Sequence, residues 1–314
     1  MTDALNKVFR REHFEDGTGG YFSAVRADPS KYLQKCSDIT KKWLRNLKAH
    51  GKMVFLQTSS HADYATLLLE YILGSDWESY FDLSIMYARK PGFFLAKNPT
   101  ERPFYTIKNC KEDNPVLEIG SEKCYLQGNI HSFNEYMQKK IGKDKPKVVY
   151  VGDSLRSDVW PTNLYAGWAS VLVLEEMEAE GLIDDTVSDE ESSDEEEEGP
   201  PAKLAKMKHP SVKEREFLLS SVWGSFFVDN KPTVCATSQS HNSSHDATDS
   251  SNSKKSPELV DSLWGHLVKT FSTIAVPTVE HVAVFHIDHE FKTFANDDSG
   301  TAGFYPSMPR ACKQ

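Results

Sequence analysis

Short apolar runs alternate with amphipathic stretches through the first 180 residues. Met53-Val54-Phe55-Leu56-Gln57 is a compact apolar run that ends in the hydroxyl residues Thr58-Ser59-Ser60. A run of this length, bounded by turn-forming residues, predicts a buried strand. Behind it, Tyr64, Leu67, Leu68, Tyr71 and Ile72 recur at spacings of three and four and stop at Gly74. That spacing, closed by a glycine, predicts an amphipathic helix. Phe81 to Met86 reads as the next strand and runs into Ala88-Arg89-Lys90-Pro91. Phe133, Tyr136 and Met137 predict a helix ahead of the β-branched run Val148-Val149-Tyr150-Val151. Ala169 to Leu174 predicts one more strand.

The flanks are less regular. Gly17 to Gly20 is a turn signal, and Asp28-Pro29 opens a helix because Pro suits the first helical position. A helical pattern then runs from Tyr32 through Trp43, Leu44 and Leu47 to a stop near Gly51. Arg102 to Gly128 mixes Cys, Pro and Gly and is expected to be a loop with short elements. Phe271 to Pro277 is expected to pack back onto the core together with Trp223 to Phe227. Phe285 to Glu290 alternates and reads as a half-exposed strand.

The candidate chemistry lies where strands end. Gly152 lets the chain turn after Val151, and Asp153 and Asp158 follow five residues apart. Carboxylates at the carboxyl ends of strands in an open α/β sheet sit where ligands bind, and hard oxygen ligands suit Mg²⁺. The plain alternative is a solvated turn carrying two acids. Thr58, Ser59 and Ser60 at a strand-to-helix junction make a phosphate cradle, or else only a helix N-cap. Lys90 by itself is an ordinary surface lysine.

In combination these segments resemble motifs II, III and IV of the haloacid-dehalogenase-like phosphohydrolases. The wording FLQTSSHADY, YARKPGFF, VVYVGDSLRSDV and WGSFF is similar to the cytosolic purine 5'-nucleotidase branch. The resemblance runs from about Tyr21 to about Pro306. It implies an α/β fold, a doubly wound parallel sheet with the catalytic groups at its carboxyl edge. It implies that Thr58 binds the transferring phosphoryl group, with Ser59 and Ser60 lining the same loop. Lys90 then offsets charge on the phosphate and on the nucleophile, and Asp153 and Asp158 hold Mg²⁺. Phosphoryl transfer relies chiefly on such positioning and charge neutralisation.

One part of the pattern is not found. The family opens on motif I, an apolar strand ending in Asp-x-Asp-x-Thr, whose first Asp is the covalent nucleophile. No such element precedes Thr58. Asp184-Asp185-Thr186 has no strand before it, and Phe285-His286-Ile287-Asp288 lies after the other motifs. The expectation is therefore an N-terminally truncated core, either a short isoform or an incomplete gene product, in which the central strand and the nucleophile are missing.

Composition adds the inserts. Hydrophobic residues make up 39% of the 314, diluted by polar tracts, and the net charge of −10 argues against a nucleic-acid-binding surface. Asp184 to Glu198 is a dense acidic block that self-repels and is expected to be disordered. Ser188, Ser192 and Ser193 sit in it as candidate phosphorylation sites, which makes the block a possible docking region for protein partners. Thr237 to Pro257 is a second disordered tract, and its His241 and His245 are expected to be inert. The expected division is a residual cap over 1–28, a core over 29–180, an acidic insert over 181–215 and a packing segment over 216–234. A Ser-rich insert over 235–258 and a C-terminal packing segment over 259–314 complete it. No run is long enough to span a bilayer and no leader is evident, so a cytoplasmic protein without membrane contact is expected. The five cysteines are widely spaced, so reduced thiols are expected in place of a zinc site.

Two functions stay open. One is a Mg²⁺-dependent phosphomonoesterase acting on nucleoside monophosphates, inactive in this form for want of its nucleophile. The other is a non-catalytic phosphate-binding or scaffold protein regulated through the acidic insert.

Overall fold

The computed structural model describes residues 8, 10–181, 224–231, 259–296 and 302–312. Helices α1 (Arg11–Asp16), α2 (Gly20–Ala27), α3 (Pro29–Tyr32) and α4 (Asp38–Ala49) precede the first strand. Pro29 takes the first position of α3 as predicted. The helical pattern expected from Tyr32 begins only at Asp38, because the start is set by a cap: Ser37 Oγ accepts the Thr40 N–H at 3.2 Å.

The strand–helix–strand order read from the sequence is present as β1 (Phe55–Gln57), α5 (Ala62–Leu73) and β2 (Leu83–Met86). β1 and β2 are parallel, with Phe55 opposite Leu83 and Gln57 opposite Ile85. All four residues of β2 are buried, as a continuous apolar run requires when both sheet faces are covered. After α6 (Gly92–Leu95), the stretch expected to be mostly loop forms three strands: β3 (Phe104–Lys108), β4 (Lys111–Val116) and β5 (Cys124–Gln127). The pattern missed β4 because it lies on the sheet's outer edge, nearly all exposed, where hydrophobic alternation is not needed and Pro115 is tolerated. The sheet order is β1-β2-β5-β3-β4, parallel across the first three and antiparallel at β3 and β4.

Helix α7 (Ile130–Ile141) carries the chain to a second sheet. Here β6 (Val149–Gly152), β7 (Ala169–Val173) and β10 (Ile274–Val276) are parallel in the order β10-β7-β6. Between β7 and β10 come α8 (Glu176–Ala179), the antiparallel pair β8 (Val228–Asn230) and β9 (Leu259–Asp261), and α9 (Leu263–Phe271). The C-terminal segment does pack back: Phe227, Val268 and Ala275 share a buried cluster with Leu172. Phe285 to Glu290 is not a strand; it follows α10 (Glu280–Ala283) as a turn in which the Phe285 and His289 rings stack at 4.0 Å.

The expected single doubly wound sheet is thus two parallel-stranded sheets among the described residues, the first extended by antiparallel β3 and β4. The break falls between β1 and β6, each hydrogen-bonded to a neighbour on one side only. The two sheets nevertheless share one core. Phe55 on β1 lies 6.3 Å from Tyr150 on β6 and 6.1 Å from Trp168, and Phe133 of α7 lies 5.8 Å from Trp168. On β6, Val149 is 61% exposed, which marks this strand as an open edge. The acidic block with Ser188, Ser192 and Ser193, and the second polar tract with His241 and His245, lie outside the described residues. Among the described residues no helix is long and apolar enough to cross a membrane.

A second tie joins the two ends of the chain. Glu280 Oε1 accepts hydrogen bonds from Ser37 Oγ at 2.6 Å and Thr40 Oγ1 at 2.9 Å, pinning α10 to the start of α4. Burial pushes the Glu280 carboxyl up, but these hydrogen bonds outweigh it and hold the group below its ordinary value of 4.5. A depressed carboxyl stabilises the fold above its unfolded value and loses that contribution as pH falls through the folded value. Urea midpoints measured downward from about pH 5 should therefore fall more steeply for the wild type than for Glu280→Gln. Parallel curves would show that this carboxylate does not titrate with folding.

Candidate active site

The ends of β1, β2 and β6 meet at one edge. Past Gln57 the loops remain zipped together: Thr58 N–H donates to Ile85 O at 2.9 Å, Ala88 N–H to Thr58 O at 2.9 Å and Tyr87 N–H to Ser60 O at 2.8 Å. Thr58 Oγ1 accepts the Ser60 N–H at 3.2 Å, and Ser59 Oγ accepts the Lys90 N–H at 2.9 Å. The hydroxyl cluster does not cap α5; His61 occupies the cap position and makes no side-chain cap bond. Thr58, Ser59 and Ser60 instead shape the loop that faces the Lys90 turn.

That turn is strained. Tyr87 and Arg89 adopt φ of 49° and 50°, a left-handed conformation that costs about 1–3 kcal/mol for a residue other than glycine. Its geometry is held from outside, since Arg102 Nη2 donates to Ala88 O at 3.1 Å. The His61 ring stacks on Tyr87 at 4.1 Å, and burial followed by the charge of Arg11 lowers the imidazole pKa, so His61 favours its neutral form.

Lys90 reaches across the break between the sheets. Its ammonium pairs with Asp158 Oδ1 and donates to the Tyr150 hydroxyl at 3.1 Å. Tyr150 in turn donates to Asp158 Oδ1 at 3.2 Å, and the Ser154 N–H donates to Asp158 Oδ2 at 3.2 Å. Burial, then the Asp158 charge and hydrogen bond, then Asp153, push the Tyr150 phenol far up, so it remains a donor. The reading of this turn as simply solvated fails for Asp158, which is 2% exposed; Asp153 is exposed. Gly152 permits the close approach, because a Cβ there would lie 2.6 Å from Asp158 Cβ.

Tyr150 was not singled out in the sequence. The available signal was its place on the same strand face as Gly152, two residues ahead, which aims its hydroxyl toward the turn. Gln57 was also missed. Its side-chain amide is buried at the end of β1, and neither its nitrogen nor its oxygen has a hydrogen-bond partner. Buried unpaired amides are uncommon and point to a partner beyond the residues present.

The acids do not fit a magnesium ion as arranged. Mg²⁺ takes one or two carboxylates and completes its shell with water and phosphate. Asp153 is available at the turn, but both Asp158 oxygens are engaged, one of them by a lysine cation. Among the described residues no group of three or more His, Cys, Asp and Glu side chains is placed to hold a metal.

Comparison with known proteins matches residues 5–276 to the 5' nucleotidase family. The chain is 37% identical over 307 residues to 5'-nucleotidase domain-containing protein 1 of Homo sapiens, covering 98% of this chain and 61% of that protein. The protein of the same name from Bos taurus is 37% identical over 301 residues, covering 96% of this chain and 60% of its own length. The 5'-nucleotidase domain-containing protein 2 of Homo sapiens is 30% identical over 188 residues, 59% of this chain and 33% of that protein. The chain thus spans about three-fifths of the relatives it matches over nearly all of its own length.

Proposed function

Since this chain belongs to the 5' nucleotidase family, we propose that it carries the phosphate- and charge-handling half of a nucleoside-monophosphate phosphomonoesterase. The observation that carries the reading is the convergence of the Thr58–Ser60 loop, Lys90 and Asp158 at the carboxyl ends of parallel strands drawn from both sheets. In this reading Thr58, Ser59 and Ser60 cradle the phosphoryl group, and Lys90 neutralises its charge. Were Asp158 released from Lys90, it and Asp153 would be the carboxylates available to Mg²⁺.

A nucleophile completes the set only if a strand bearing a carboxylate enters between β1 and β6. The orphaned Gln57 amide and the exposed edge at Val149 support an insertion there. With such a strand in place Lys90 has a second acid to pair with, and Asp158 is free to bind the metal. Without it, Lys90 neutralises Asp158 and the site binds phosphate without turning it over. That state is the second reading, a non-catalytic phosphate-binding protein. Ser188, Ser192 and Ser193 fall to that reading as sites of regulation.

The test is phosphate release from a panel of nucleoside monophosphates with Mg²⁺. This chain is compared with one extended by an apolar segment ending in Asp-x-Asp-x-Thr. Release by the extended form alone, abolished by Asp153→Asn, is expected. Release by the unextended chain would overturn the need for an added nucleophile, and silence from both would favour the binding protein.

A further inference from the structure

One side chain grips the turn that carries Lys90. Arg102 Nη2 donates to Ala88 O at 3.1 Å, two residues before the lysine. Two residues after it, Gly92 lets the same guanidinium lie flush with the chain, because a Cβ there would meet Arg102 Nη1 at 2.5 Å. Arg102 therefore touches the backbone on both sides of Lys90.

The grip falls where the backbone is strained. Ala88 is fully buried, and its N–H is bonded to Thr58 O at 2.9 Å. A buried carbonyl needs a donor, and Arg102 supplies it. On either side of Ala88, Tyr87 and Arg89 hold left-handed φ values of 49° and 50°, which persist only where surrounding groups fix them.

Arg102 is itself anchored. Its carbonyl accepts from Asn129 Nδ2 at 2.9 Å, and the same nitrogen donates to Pro99 O at 3.3 Å. Asn129 is fully buried and caps α7, its Oδ1 accepting the Ser132 N–H at 2.9 Å. Contacts thus run from the head of α7 through Arg102 to the Lys90 turn. Among the described residues Arg102 forms no salt bridge, and its Nε is buried without a partner. A half-buried guanidinium without a carboxylate adds little stability, which points to a role in the turn it holds.

We propose that Arg102 is the positioning residue for Lys90. It fixes the turn so that the Lys90 N–H meets Ser59 Oγ and the ammonium meets Tyr150 and Asp158. The planar fork of arginine reaches Ala88 and Gly92 together, which a single flexible ammonium does not. The consequence for phosphate rests on the phosphomonoester reading above; the consequence for Lys90 does not.

The experiment is timed acetylation of the folded whole chain with acetic anhydride, read lysine by lysine by mass spectrometry. Lys48 is the control, since it pairs with Asp82 at 3.2 Å at the opposite end of β2. Arg102→Met is expected to speed acetylation of Lys90 by about 2- to 30-fold, the span of coupling carried through an intervening residue, and to leave Lys48 unchanged. Arg102→Lys, which keeps the charge, should give a smaller rise at Lys90. It takes the place of Arg102→Met if that variant does not fold. An unchanged rate at Lys90, or an equal rise at Lys48, overturns the proposal. Inorganic phosphate, titrated by calorimetry, should bind Arg102→Met more weakly over the same range. If Lys90 is freed but phosphate binds both proteins equally, or binds neither, the phosphate-site reading falls and the positioning role stands.

Discussion

Replacing Lys90 by Met destabilises the fold by about 3–5 kcal/mol, the cost of stripping one partner from a buried ion pair. The side chains of Lys90 and Asp158 are only 12% and 3% exposed, so water cannot solvate the carboxylate left behind. Tyr150 and the Ser154 N–H remain as donors, but neither carries charge. The double change Lys90→Met with Asp158→Asn should recover a large part of the loss, because the uncompensated charge goes with it. Urea unfolding of the four proteins in this cycle gives the coupling directly. A loss below 1 kcal/mol for Lys90→Met would show that the pair is solvated and does not bridge the sheets. The same lysine supplies positive charge to the phosphate in the proposed function, so stability and binding meet in one side chain.

Trp168→Ala is expected to cost a comparable 3–5 kcal/mol, roughly the range for truncating a buried aromatic. Trp168 is 7% exposed and lies 5.7 Å from Phe94, 5.8 Å from Phe133, 6.0 Å from Tyr150 and 6.1 Å from Phe55. Those rings come from β1, β6, α6 and α7, so the indole fills the junction of the two sheets. No ladder of hydrogen bonds joins β1 to β6, so this aromatic packing and the Lys90–Asp158 pair bridge the two strands, beside the Glu280 tie between α10 and α4. Truncation should also lower the cooperativity of unfolding, read as a change in the urea m-value. A small loss with an unchanged m-value would mean that the sheets are joined elsewhere.

Much of the site was legible because its residues follow strands that announce themselves. Apolar runs ending in Thr58, near Lys90 and at Gly152-Asp153 locate the carboxyl edge, since such runs are buried whatever surrounds them. The amphipathic helix stopping at Gly74 and the strand over Ala169–Val173 were likewise readable from spacing. β4 was not, because an exposed edge strand carries no burial pattern, and neither was the turn that mimicked a strand at Phe285. Tyr150 and Gln57 escaped because a single hydroxyl or amide within an apolar run has no periodicity to report it.

The sequence alone determined which residue types stand at each strand end, and with them the family chemistry of hydroxyls, a lysine and paired acids. Only the tertiary structure decided how those groups are shared. It buries Asp158 and leaves Asp153 exposed, though the two lie on one short turn. It sends Lys90 across a gap between β1 and β6 to a carboxylate that the motif alone assigns to metal. The physical reason is that local pattern sets the direction of each strand, whereas the partner of a buried charge depends on which strands come to lie side by side.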